Sequence, residues 1–128
     1  MITKILEYAA GKAGIKKIGV LAENDKISML PASGRVITRY RNGGKISELS
    51  AQIQAKGKDQ EEIINILSFA LNALTGLRGT AGDCDILSVR EGQLPAPVTA
   101  DDKGNYFYSC GIVIRYYEPP EQQEESNI

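Results

Sequence analysis

The sequence contains no histidine and no tryptophan, only two cysteines, and no apolar run long enough to cross a bilayer. Each absence removes a class of function. Without histidine, the usual general base near neutral pH and the commonest metal ligand are missing. Ser-His and Cys-His nucleophilic pairs are excluded for the same reason. Cys84 and Cys110 are too few and too far apart for a zinc cage. A spanning helix needs about 20 consecutive apolar residues, so no membrane partner is expected. The opening stretch MITKILEYAAGKAG carries Glu7 inside its only apolar run and makes a poor secretory signal. A cytosolic protein, or one assembled in the cytosol, is expected. Any enzyme built from this chain would rely on carboxylates, lysine, tyrosine or arginine alone. The expectation is no enzyme, no cofactor, no catalytic residue and no metal site.

What is present suits a single globular domain: 128 residues with 42% apolar content. The net charge of −1 is unevenly spread. Residues 118–128, EPPEQQEESNI, hold four glutamates and no lysine or arginine, while the other 117 residues carry 15 basic and 12 acidic groups. The two prolines and polar remainder of this tail cannot bury enough surface to offset chain entropy. A domain over residues 1–117 with a disordered acidic tail is expected, the tail being either a docking arm or a solvated terminus. A body at +3 is too weakly basic for a nucleic-acid footprint, which needs clustered lysine and arginine.

Residues 2–10 place Ile2, Ile5, Leu6 and Ala9 on one helical face, with Gly11 and Gly14 ending the helix. Residues 16–22 suit a short strand or extended arm, and AENDKISMLPASG a loop with a brief apolar insert. RVITRYR, then Asn42-Gly43-Gly44, then KISELSAQIQAK predicts a β-hairpin. In its second strand Leu49, Ala51, Ile53 and Ala55 alternate with Glu48, Ser50, Gln52 and Gln54, so one face is buried and the other wet. Asp59 then caps a helix whose stripe is Ile63, Ile64, Leu67, Ala70, Leu71 and Leu74, with Gly76 as its stop. A third strand spans 84–91, a long loop 92–104, and a fourth strand 105–117. In the fourth, Tyr106, Tyr108, Cys110, Ile112, Ile114 and Tyr116 share a face, with Phe107, Val113 and Tyr117 on the other. Apolar residues on both faces imply a central strand, or one whose second face meets another subunit. The class is α+β, mainly an antiparallel sheet of about four strands, in the order α-β-β-α-β-β.

Four features are candidates for chemistry or contact. Lys56-Gly57-Lys58, at the strand-to-helix junction, invites a phosphate-loop reading but fails it. A phosphate cradle needs further glycines and a following Ser or Thr, whereas here Asp59, Glu61 and Glu62 crowd the helix end where an anion would sit. Cys84 and Cys110 lie on strands joined by one loop, within possible disulfide reach, although two buried reduced thiols suit a cytosolic protein better. Arg35, Arg39 and Arg41 put cations on one face of the first hairpin strand, for contact with nucleic acid or an acidic partner, or as a solvated, salt-bridged edge. The 92–104 loop holds Leu94, Pro95, Pro97, Asp101 and Asp102 and is long enough to be a contact segment.

Three stretches together carry a family likeness: LSAQIQAKGKDQEEIINILSFALNALTGL (49–77), the proline-containing hairpin after it, and the closing strand YFYSCGIVIRYYE. With the small N-terminal helix, their order resembles the tail terminator and minor capsid proteins of long-tailed bacteriophages. The likeness covers most of residues 1–118 and is one of pattern, because that family has no invariant catalytic signature. It implies a small α+β subunit with helices on one face of the sheet. It also implies a homo-oligomeric ring of six copies that ends tail-tube polymerisation. The partners implied are the tail tube protein and the head–tail connector protein, with DNA passing through the lumen without sequence readout. The location implied is the virion, assembled in host cytoplasm. Subunit contacts are expected on sheet edges, the long hairpin loop and the first helix, with Arg35, Arg39, Arg41, Leu94, Pro95, Pro97, Asp101 and Asp102 as candidates. A different class remains open: a small-molecule-binding regulatory domain, since compact α+β sheets often host such sites. Weaker again is a carboxylate enzyme using Asp83, Asp85, Asp101 and Asp102.

Overall fold

The computed structural model describes residues 2–22 and 24–120. Residues 121–128 lie outside them, and with them the expectation of a disordered tail; Glu118, expected to open that tail, is the last residue of a strand. The chain runs α1 (Ile2–Ala13), β1 (Ile27–Arg39), β2 (Lys45–Gly57), α2 (Gln60–Leu74), β3 (Gly79–Ala81), β4 (Cys84–Ala100) and β5 (Tyr106–Glu118). The five strands form one curled antiparallel sheet in the order β1-β2-β5-β4-β3. The class is α+β as expected, with one short strand, β3, added to the expected four.

The core forms where the helical and strand periodicities meet. From β2, Leu49, Ala51, Ile53 and Ala55 are buried, and from β5, Cys110, Ile112 and Ile114. Ile63, Leu67, Leu71 and Leu74 of α2 cover them, with Ile5, Leu6 and Ala9 of α1 alongside. Each fully buried Ile or Leu contributes about 1.5–3 kcal/mol. The central position expected for β5 holds, since it pairs with β2 on one side and β4 on the other.

Local signals set most boundaries. The Asp59 carboxylate accepts from the Glu61 and Glu62 amides at 3.0 and 3.4 Å and starts α2 as expected. Past the end of that helix, Gly76 takes a φ of +85° and its amide bonds Val89 of β4 at 2.9 Å. The helix α1 runs through Gly11 and stops at Gly14. The Ile15 and Gly14 amides return to the Ala10 and Gly11 carbonyls, a Schellman closure that left-handed Gly14 permits. Two residues expected on buried helical faces are exposed: Ile2 at 44% and Ile64 at 38%.

Two strands are longer than their sequence suggests. β1 begins at Ile27, inside the expected loop, because Ser28 and Met29 pair with Gln54 and Ile53 and bury completely. β4 continues through the expected 92–104 loop to Ala100, leaving a turn of only five residues. Its prolines are tolerated because this half of β4 is an edge with irregular pairing: the register shifts between Gln93 and Ala96 and again between Pro97 and Thr99. Cys84 and Cys110 are free and buried. Asp85 pairs with Tyr117, so Cys84 comes level with Glu118, eight residues from Cys110 along β5; about 26 Å of extended strand rules out a bond between the two thiols.

Candidate subunit interface

On the sheet face opposite the helices, Glu48 departs from the expected wet position. Its side chain is 7% exposed and is held by three arginines. Arg35 donates from Nε and Nη2 to Oε1 at 3.2 and 3.1 Å, Arg90 from Nη1 to Oε2 at 3.1 Å, and Arg115 from Nη2 to Oε2 at 2.9 Å. The sheet register builds this cluster: Arg35 lies opposite Glu48 on β2, and Glu48 lies opposite Arg115 on β5. The Arg115 hydrogen bond, with those of Arg90 and Arg35, holds the Glu48 carboxyl down at about 2. One carboxylate thus ties four strands together, and the three half-exposed guanidiniums leave a local surplus of positive charge.

The expected row of arginines is not on one face. Ile37 sits at a register shift between Val36 and Thr38, so Arg39 pairs with Lys45, three positions from Glu48. An odd offset places a strand residue on the opposite face. Arg39 therefore belongs to the other side of the sheet from Arg35, and Arg41 lies in the turn. That turn is a five-residue loop, closed by the Tyr40 amide on Gly44 at 2.8 Å and by the Gly44 amide on Asn42 Oδ1 at 2.9 Å. From Pro31 to Gly43 every residue is exposed, including Val36, Ile37 and Tyr40.

The candidates from the expected loop separate. Leu94 is 64% exposed at the bulge, Pro95 half-buried within it, and Pro97 exposed opposite Tyr108. Asp101 is taken up in shaping the β4–β5 turn: Oδ1 accepts from the Lys103 and Asn105 amides at 3.0 and 2.8 Å, and Oδ2 from Asn105 Nδ2 at 3.0 Å. Those bonds, Asn105 foremost, hold its carboxyl below the usual range. Asp102 is exposed at the tip.

Two hollows flank the start of α2. One, about 450 Å³, includes Lys56, Gly57 and Lys58, but the Lys56 ammonium donates to the Ala22 carbonyl at 2.6 Å and Asp59 stands at the helix N-terminus. The other, about 500 Å³, lies between the end of α1 and α2, with Ile15, Ile27, Ile66 and Phe69 beside Glu61 and Glu62. Phe69 is 70% exposed and Ile66 38%.

The sequence reading did not single out Glu48, Arg90, Arg115, Ile66 or Phe69. The Glu48 partners are 13, 42 and 67 residues away, so no local pattern carries the cluster. Ile66 and Phe69 were visible as an apolar pair three apart, off the buried stripe of an amphipathic helix.

No protein-family model matches the chain, and no curated protein matches it. Its fold is similar to that of a chain in a solved structure described as "Virion of native gene transfer agent (GTA) particle". The TM-score is 0.57 at 7% identity, over 86% of this chain and 84% of that one. The two share a backbone architecture across nearly their whole lengths.

Proposed function

We propose that the protein is a structural subunit of a phage-like virion, and more specifically a tail terminator or head–tail joining subunit. In this reading copies close into a ring, six in the resemblance, that ends tail-tube polymerisation and meets the head connector. The observation that carries the reading is the fold likeness to a chain of a gene transfer agent virion, which spans 86% of this chain. It agrees with the independent likeness in element order to the tail terminator family. The surface supports the same reading. A ring needs two different, complementary surfaces on each copy. Among the described residues, β1 beyond Met29, where residues near Ile18 bridge it, and the distal half of β4 are sheet edges with no covering strand. Exposed apolar side chains stand along both: Val36 and Ile37 on one, Leu94 and Val98 on the other.

Electron microscopy of purified tail tubes mixed with the protein tests the role. Rings seated at one end of each tube, with tube growth halted, are the expected result. Tubes that elongate unchanged, with no density at either end, would sink the terminator reading.

A further inference from the structure

We infer that the hollow beside α2 receives the distal end of β1 from a second copy, making a head-to-tail contact. This rests on the ring reading and names the surfaces that would join its copies.

The argument begins with what the hollow selects. Its floor is apolar, with Ile66 and Phe69 exposed where a soluble helix normally turns polar residues to solvent. One wall carries the carboxylates of Glu61 and Glu62, both exposed. A fitting occupant therefore places cations next to apolar side chains. Among the described residues, the exposed stretch Arg35-Val36-Ile37-Thr38-Arg39-Tyr40-Arg41 has that composition. Arg35 is engaged by Glu48, which leaves Arg39, Tyr40 and Arg41 at the tip as the docking element.

The same molecule cannot satisfy itself. Ile27, at the start of β1, lines the hollow, whereas Arg39 ends that strand. Twelve residue steps of extended chain separate the two by roughly 40 Å. The complementary surfaces meet only in trans, and because they differ, the contact is heterologous: it closes into a ring or continues as a filament. Pro120 lies close to Gly43 in the turn bearing the arginines, so a contact of the arginines with the acidic residues 121–128 is the rival outcome of the test.

Charge reversal with exchange of partners tests the contact. Arg39→Glu with Arg41→Glu forms one variant, and Glu61→Lys with Glu62→Lys the other. All four positions are exposed, so both variants are expected to fold, the arginine pair with the wild-type melting profile and the glutamate pair with a lowered midpoint, because Glu61 and Glu62 lie in the first turn of α2 where the helix dipole favours acids. Each alone should weaken self-association by roughly a hundredfold, as juxtaposed like charges do. The two mixed in equal amounts should associate again, which sedimentation velocity reads directly. Phe69→Ser should weaken association without a change in salt dependence. A wild-type oligomer that survives both reversals, or variants that stay apart when mixed, overturns the α2 contact and leaves the ring reading standing. A wild-type chain that is monomeric throughout contradicts the ring itself and this contact with it. Association lost both on removing residues 121–128 and with the arginine reversal, while the Glu61/Glu62 reversal is silent, assigns the arginines to the acidic segment and overturns the proposal.

Discussion

Glu48 shows how much a single side chain can organise when the sheet supplies its partners. The alternation of β2 predicts a solvent-facing carboxylate, and the face is right. The burial is not, because strands on both sides bring arginines over it. Asp59 is the opposite case: its partners are the amides two and three residues on, so its role was legible from order alone. The folded pKa of Glu48, about 2, lies below its ordinary value of 4.5. Its stabilising effect is therefore complete above about pH 4.5 and lost as pH falls through the folded value. Glu48→Gln removes the charge that the three guanidiniums share. About 2 kcal/mol of stability should be lost at neutral pH, less than for a fully buried pair because the arginines are half-exposed. Urea unfolding as a function of pH checks this: the variant should lose much of the acid dependence between pH 5 and 2. Equal pH slopes in the two proteins would show that the cluster contributes nothing to folding.

At the scale of elements, those with strong local signals were legible: the hairpin around Gly43, the capped helix α2 and the two-faced strand β5. The missing parts share a physical cause. The beginning of β1 and the end of β4 are extended because neighbouring strands pair with them, not because their own residues demand it. Pro95 and Pro97 argue locally against a strand, and only the edge position with its bulges makes them compatible. Gly11 gave a false stop because glycine costs a helix interior only about 1 kcal/mol, which the buried neighbours Ala9 and Ala10 offset. The α2 start offers a clean test of local control. Asp59→Ala removes the acceptor for two amides and should cost about 1 kcal/mol, read as a lowered thermal midpoint with unchanged far-ultraviolet dichroism at low temperature. No change in midpoint would mean that tertiary packing alone sets the start of α2.

For the whole molecule, the sequence indicated α+β class and element order, and through them a family likeness. The strand order β1-β2-β5-β4-β3 needed long-range pairing to appear. The candidate contact residues divided once placed: Asp101 shapes a turn, Arg35 holds Glu48, and Arg39, Arg41 and Leu94 remain at exposed edges. In the proposed reading the protein is a building block defined by what it joins, and the property to test is closed self-association through unlike surfaces. The most direct measurement is the mass of the full chain in solution across a wide concentration range, by native mass spectrometry and sedimentation equilibrium, with negative-stain images of the same samples. A discrete closed ring, six copies in the proposed reading, is the expected species at high concentration. A strict monomer at every concentration, or a two-fold dimer that grows no further, would contradict it.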